Sequence, residues 1–335
     1  MNKIRIGTRG SKLALKQAAL VQEALRKVYA GLETEIVVIR TKGDRIQDRP
    51  LSEIGDKGVF ASELERALQE ETIDLAVHSA KDLPVALAAG QVIAAVLPRG
   101  DVRDVLVTPK GGRVPSPKSG GVGEGKAFAA EKSEKKEEAA AAAEGFVIGS
   151  GSRRRCRQAE ELWENVVCEN IRGNVDTRLQ KLISGNNADT AREETRYHGI
   201  ILAKAGMDRL DLISRQGELF DFRPLPPEVF LPAACQGIIA VEALRDSSAA
   251  LLCREITDAE TALCFLVERE VLSTLSADCS EAIAAWCRRD GERLTLDVMY
   301  AGKRTRLVSE AEPEAGLEMA RQAAVFVKEK KFERR

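Results

Sequence analysis

The chain has 335 residues, room for two or three domains and a sizeable buried core. Its 51 Lys and Arg against 52 Asp and Glu leave a formal charge of −1, which argues against a nucleic-acid coat and a polybasic membrane anchor. No apolar run reaches the roughly 18 residues of a transmembrane helix.

Lys3–Gly7 alternates like a strand and meets the turn Thr8-Arg9-Gly10-Ser11, where Ser11 is a good helix N-cap. Helical spacing then runs to about Tyr29, followed by a β-branched strand over Glu35–Arg40. Thr41–Gly58 reads as a long polar loop, Val59–Glu70 as a helix, and Asp74–Val77 as a short buried strand ending at His78-Ser79-Ala80-Lys81-Asp82-Leu83-Pro84. Strands follow at Gln91–Leu97 and Asp104–Thr108, and the alternation with helices predicts parallel β-α-β units. Lys110–Gly145 is built from Gly, Lys, Glu, Ser and Ala and reads as a disordered insertion.

The α/β rhythm resumes with strands at Phe146–Gly149, Val166–Glu169 and Gly199–Ala203, and helices at Ser150–Trp163 and Val175–Ile183. Met207–Leu212 reads as a helical turn, Arg223–Pro232 as a Pro-rich crossover and Gly237–Ala243 as a strand. Helices at Ser248–Glu255 and Ala259–Ser273 lead to Asp278-Cys279. An antiparallel pair, Ala282–Arg288 and Leu294–Tyr300, turns at Asp290-Gly291, and a strand near Thr305–Ser309 and a helix over Glu314–Val327 close the chain. The N-terminus enters a strand pattern without a signal or transit segment, so the expectation is a cytoplasmic protein; a plastid address would need a transit segment already removed.

Seven cysteines, an odd number without a C-x-x-C pair, point to free thiols in a reducing compartment. Two histidines leave few ligands for zinc and no recognisable Ser-His-Asp setting. Arginine recurs at strand-to-helix turns: Arg9, Arg153-Arg154-Arg155, Arg172 and Arg178. In a parallel sheet these turns face the ligand crevice, where helix N-termini and guanidinium forks favour carboxylates; taken singly, each arginine also reads as a solvated surface residue. Gly149-x-Gly151 lacks the third glycine of a dinucleotide fingerprint. Asp82, after an apolar strand and beside Lys81, reads as a partly buried carboxylate able to face developing positive charge or shuttle a proton, or as a turn cap. Cys279 lies in a small, polar loop and is a candidate nucleophile or attachment point, although Asp278 beside it raises its thiol pKa; on spacing alone it is an ordinary free cysteine. The other cysteines mostly sit in apolar runs and read as inert core residues.

Together, several words resemble the porphobilinogen deaminase (hydroxymethylbilane synthase) family. They are Ile6-Gly7-Thr8-Arg9-Gly10-Ser11; Thr41-Lys42-Gly43-Asp44; Gly55-Asp56-Lys57-Gly58-Val59-Phe60; and Ala76-Val77-His78-Ser79-Ala80-Lys81-Asp82-Leu83-Pro84. Further on come Gly149-Ser150-Gly151-Ser152 with Arg154-Arg155; Ile171-Arg172-Gly173-Asn174-Val175-Asp176-Thr177-Arg178-Leu179; Ile200-Ile201-Leu202-Ala203; and Leu231-Pro232 with Gln236-Gly237. The resemblance covers nearly the whole chain apart from the insertion.

It implies an α/β fold of two periplasmic-binding-protein-like domains, 1–100 with 233–255 and 101–232. A smaller C-terminal α+β domain, 256–335, carries the cofactor cysteine. The implied reaction joins four porphobilinogen molecules head to tail on a dipyrromethane cofactor, each losing ammonia, before water releases hydroxymethylbilane. By position, Cys279 resembles the thioether attachment residue and Asp82 the catalytic carboxylate. Ser11, Lys81, Asp82, Ser152, Arg154 and Arg155 resemble the cofactor-holding groups. Arg9, Ser11, Gln17, Lys57, Arg172, Arg178 and Arg209 resemble the substrate-binding groups. The implied partner is a small molecule, with no nucleic acid or membrane, and the chain is expected to be a monomer. The chain departs from the family pattern around Cys279: Ala277-Asp278 stand in place of two glycines, and Glu281-Ala282 follow where a proline is usual. The alternative from another class is a non-catalytic bilobal binding protein for an anionic ligand.

Overall fold

The computed structural model describes residues 3–39, 62–118, 145–184, 197–276 and 281–329. The expected loop over 41–58, most of the insertion, Lys57 and Cys279 lie outside the described residues.

The first domain begins with β1 (Lys3–Thr8) and α1 (Lys12–Val28), whose start is set by Ser11: its Oγ accepts the Ala14 N–H at 3.2 Å. Ala14, Gln17, Ala18, Val21 and Leu25 form one buried stripe, and Arg26 and Lys27 complement the helix C-terminus. Then come β2 (Glu33–Val38), α2 (Ser62–Gln69), β3 (Leu75–Ser79) and β4 (Gln91–Val96). The second domain holds β5 (Asp104–Pro109), β6 (Phe146–Gly149), α3 (Arg153–Leu162), β7 (Val166–Glu169), α4 (Val175–Ser184), β8 (Gly199–Ala203), α5 (Lys204–Arg209), α6 (Leu212–Gln216) and β9 (Phe220–Pro224). The chain then returns to the first sheet as β10 (Ile239–Leu244), continues through α7 (Ser248–Cys253) and α8 (Ala259–Leu275), and ends in the meander β11 (Ile283–Asp290), β12 (Arg293–Tyr300), β13 (Lys303–Glu310) with α9 (Pro313–Glu329).

The two larger sheets have the orders β2-β1-β3-β10-β4 and β7-β6-β8-β5-β9. The expected parallel units are present, and antiparallel strands join them. Strands β1, β2 and β3 are parallel, and so are β6, β7 and β8, but β10 runs against β3 and β4 and β5 runs against β8 and β9. Strands β5 and β10 are reached by direct crossings between the sheets, not by a helical crossover, and only the crossover enforces parallel pairing. Strand β9 runs into the first two residues of the expected Arg223–Pro232 crossover. It is a short edge strand, a place that tolerates its terminal Pro224. The turn at Met207–Leu212 is two short helices, α5 and α6. The hairpin turn of the third domain is Gly291-Glu292, one residue beyond the expected pair, because Asp290 still pairs with Arg293 and Gly291 takes the positive φ of 59°.

The third domain packs α8 and α9 on its sheet, burying Val267, Val271, Leu294, Leu296, Val298, Ala320, Ala323 and Ala324 in one core. It is tied to the rest of the chain by Glu268. This fully buried carboxylate accepts two bonds from Arg99, at 2.6 and 3.1 Å, and the backbone N–H groups of Cys235 and Cys287 at 2.5 and 2.7 Å. One side chain on α8 thus holds both inter-sheet crossings and the strand that follows residue 279.

Candidate active site

Asp104, the first residue of β5, is fully buried. It accepts hydrogen bonds from Arg154 Nη1 at 2.8 Å, Arg155 Nε and Nη2 at 3.1 and 2.7 Å, and Gln236 Nε2 at 3.1 Å. Burial favours its neutral form, but the two arginines outweigh that and hold it well below the usual carboxylate range. Arg154 also donates to the Leu231 carbonyl at 2.6 Å, and Arg155 to the Ile201 carbonyl at 2.8 Å. These arginines are 4% and 7% exposed, so they are not the solvated residues that each alone could have been.

Lys81 and Asp82 lie on the single 3-10 turn Ala80–Asp82 that follows β3, the central strand of the first sheet. Asp82 is exposed, not partly buried as its apolar approach suggested. The tight turn closes when the Leu83 N–H donates to the Ala80 carbonyl, and it is Leu83 that is buried. Lys81 Nζ reaches Gln236 Oε1 at 3.4 Å, a long contact that links the first domain to the Asp104 cluster. Burial lowers its ammonium to about 8, with repulsion from Arg155 adding to this and Asp82 and Asp104 opposing it.

Arg178 projects from the first turns of α4, and its Nε donates to the Gly173 carbonyl at 2.8 Å. Gly173 has a φ of +107°, and a Cβ there would lie 2.7 Å from Thr177 Cγ2, so the Arg172-Gly173-Asn174 turn requires glycine. Asn174 Oδ1 caps α4 by accepting the Thr177 N–H at 3.0 Å. Burial lowers the Arg178 guanidinium to about 10; Arg155 and Arg172 push the same way, and Asp82 opposes them.

Charges from both domains therefore converge. Lys81 and Asp82 from one, and Arg154, Arg155, Arg172 and Arg178 from the other, feel one another's fields. Five cations, Lys81, Arg154, Arg155, Arg172 and Arg178, meet two carboxylates, Asp82 and Asp104, and the neighbouring cations add to the burial that depresses Lys81 and Arg178. This donor set fits a ligand bearing several carboxylates.

The other expected residues serve this site less directly. Ser11 and Ser152 cap α1 and α3; Ser152 Oγ accepts the Arg155 N–H at 3.5 Å. Gln17 is buried and donates to Ser79 Oγ at 2.9 Å, bracing the strand end that leads to Lys81. Arg9 is half-buried at the turn before α1. Arg209 is engaged elsewhere: it donates to the Gly237 carbonyl at 2.5 Å, at the crossing between sheets. Sequence reasoning missed Asp104 and the role of Gln236; the signal was an acidic residue heading the otherwise apolar run Val105-Leu106-Val107. Among the described residues no helix is long and apolar enough to cross a membrane.

Two α/β domains that bring five cations to two carboxylates, with a third domain pinned to their crossings, define a bilobal architecture whose cationic groups suit an anionic ligand. The family model described as "Porphobilinogen deaminase, dipyromethane cofactor binding domain" matches residues 4–251. The chain is 36% identical to the porphobilinogen deaminase of Roseiflexus sp. (strain RS-1) over 90% of this chain and 87% of that protein. It is 36% identical to that of Acetivibrio thermocellus over 91% of this chain and 90% of that protein, and 35% identical to that of Bordetella parapertussis over 93% and 87%. The chain belongs to the porphobilinogen deaminase family, a family of transferases, and this does not favour the binding-protein alternative. Among solved structures, PhnD1 from Prochlorococcus marinus is similar at 11% identity over 80% of this chain and 89% of that one, with a TM-score of 0.38, too low to bear on function.

Proposed function

We propose that this chain condenses four porphobilinogen molecules head to tail, with loss of ammonia at each step, and releases hydroxymethylbilane. The observation that carries the reading is the convergence of surplus cationic charge from two domains around exposed Asp82. Each pyrrole unit carries two carboxylates, so the growing chain needs the counter-charge that Lys81, Arg172 and Arg178 offer. Arg154 and Arg155 already share Asp104; they build the positive field and orient α3 toward the ligand. Asp82 accepts hydrogen bonds from pyrrole N–H groups and faces the positive charge left on the substrate when ammonia departs. Its exposure leaves it open to each incoming unit.

The donor set fits dipyrromethane, which when bound supplies the pyrrole terminus on which the product is extended. Lys81, Asp82, Ser11, Ser152, Arg154 and Arg155 hold it, and Cys279 anchors it by a thioether. Arg9, Gln17, Lys57, Arg172, Arg178 and Arg209 belong to the substrate-binding set, Arg209 through its hold on the crossing. The reading divides the chain into 1–100 with 233–255, 101–232, and 256–335, acting as a cytoplasmic monomer without a nucleic-acid partner. The test is the intact mass of freshly purified protein. A covalent addition equal to two deaminated porphobilinogen units, absent from Cys279→Ala, is expected. Turnover of porphobilinogen by Cys279→Ala, or normal turnover by Asp82→Ala, would overturn the assignment.

A further inference from the structure

Gln236 is fully buried where the two crossings between the sheets, residues 97–103 and 225–238, run side by side. Its backbone is pinned there: the Gln236 carbonyl accepts Arg99 Nε at 2.9 Å, and the neighbouring Gly237 carbonyl accepts the Gly100 N–H at 3.1 Å. The residues on either side have positive φ, 60° at Cys235 and 91° at Gly237. A residue other than glycine persists in that region only where its surroundings over-determine it, and here Glu268 takes the Cys235 N–H at 2.5 Å. The carboxamide of Gln236 can be oriented in only one way. Its Nε2 donates to the Val102 carbonyl at 2.8 Å and to the Asp104 carboxylate at 3.1 Å. Both partners are acceptors only, so both N–H bonds are committed on that side, and Oε1 is turned toward Lys81 Nζ, 3.4 Å away. Reversing the amide would set oxygen against two oxygens and N–H₂ against an ammonium. Gln236 therefore bonds a charged group from each large domain: Lys81 on the turn after β3, and Asp104 at the head of β5, which in turn holds Arg154 and Arg155.

We propose that Gln236 is a positioning residue for the condensation: its carboxamide holds the Lys81 ammonium in register with the Asp104–Arg154–Arg155 cluster, so that cations from both domains meet the anionic ligand together. The proposal rests on the function given above and extends it to a residue that acts through Lys81 and touches no reacting atom. Lys81 has three N–H donors; one goes to Gln236, and two are left for ligand carboxylates. The charged groups facing Lys81 are Asp82 on its own turn, Asp104 on β5, and Arg154 and Arg155 on α3; Gln236, on the crossing, adds a neutral acceptor. Without that acceptor the ammonium loses a hydrogen bond that favours its charged form, so its proton is held less firmly and its side chain is no longer tied to the arginine pair.

The test replaces Gln236 with methionine, which is close in volume but cannot donate or accept in its place, and reads Lys81 directly. Wild-type and Gln236→Met holoenzymes are pulse-labelled with acetic anhydride over a range of pH, and acetylation of Lys81 is quantified by mass spectrometry of its peptide. Expected is a labelling midpoint at least about 0.5 pH unit lower in Gln236→Met, roughly a threefold loss of proton affinity, with the alkaline fall of kcat/KM moving the same way. In a Lys81→Met background, Gln236→Met should cost less than about twofold in kcat/KM, against at least about fivefold with Lys81 present, because one residue acts through the other. Gln236→Asn keeps the amide but draws it back by one methylene; it should shift the midpoint in the same direction, and it serves if the methionine variant does not fold. An unchanged Lys81 midpoint in a folded variant, or the same fold-loss of kcat/KM with and without Lys81, would overturn the proposal and leave Gln236 a structural staple of the crossings. The labelling needs no porphobilinogen. A wild-type chain that fails to condense porphobilinogen would therefore overturn the function proposed above, while the Lys81 midpoint still decides whether Gln236 positions it.

Discussion

Replacing Asp104 with asparagine deletes one charge from the middle of the second domain and nearly preserves shape. The wild-type carboxylate takes four hydrogen bonds with no exposure of its own. In Asp104→Asn, Arg154 and Arg155 keep the Leu231 and Ile201 carbonyls but lose their counter-charge. The new amide N–H₂ must face a guanidinium or the Gln236 Nε2 N–H, which is held in place by the Val102 carbonyl, so a donor meets a donor on that side. Removing one partner of a buried ion pair costs about 3–5 kcal/mol, and about 4 kcal/mol is expected here. With a urea slope of roughly 2 kcal/mol per molar for a domain of this size, the midpoint falls by roughly 2 M. Trp163 is buried beside Phe230 in this domain, and the only other tryptophan is Trp286 in the third, so urea titration of Trp163 fluorescence in a Trp286→Phe background reads the relevant unit. A loss below about 1 kcal/mol, the level of an exposed pair, would refute the claim that Asp104 holds the arginines in place.

Lys81 gives a pH signature. Its ammonium is intact below about pH 8 and lost above it, so kcat/KM for porphobilinogen should fall as pH rises through that value, and Lys81→Arg should flatten the fall; an identical profile in the two proteins would refute the role. Because the folded value lies below the ordinary 10.4 of lysine, the unfolded chain binds the extra proton in between, and this residue's destabilising contribution shrinks as pH rises from about 8 toward 10.4. Arg178→Gln removes a charge-assisted contact of about 1.5–3 kcal/mol, so KM should rise about 10- to 100-fold in steady-state kinetics, with the circular dichroism of the fold unchanged. Gly237→Ala places a Cβ 2.5 Å from the Gly100 carbonyl oxygen on a backbone with φ of +91°, and at about 2 kcal/mol or more its melting temperature should drop by roughly 4–8 °C.

Helix α1 was legible because Ser11 and the apolar stripe Ala14, Ala18, Val21 and Leu25 are local, periodic signals, and β3 because Leu75-Ala76-Val77 is apolar on both faces. The arginine-bearing turns were legible as a set, as were Asp82 and Lys81 by their place after a buried strand. What was not legible came from pairing between segments far apart in the chain. Strand direction depends on the route taken between sheets, so β5 and β10 look like any other strand until their neighbours are known. Exposure of Asp82 depends on the turn that buries Leu83 in its stead. The partnership of Arg154 and Arg155 with Asp104 spans some fifty residues, and composition carries no trace of which carboxylate will meet which guanidinium. Local hydrogen bonding and periodicity act over a few residues and are written into the chain directly. The burial that lowers Lys81, and the contacts that bring Asp104 to Arg154 and Arg155, exist only where folding brings separate elements together.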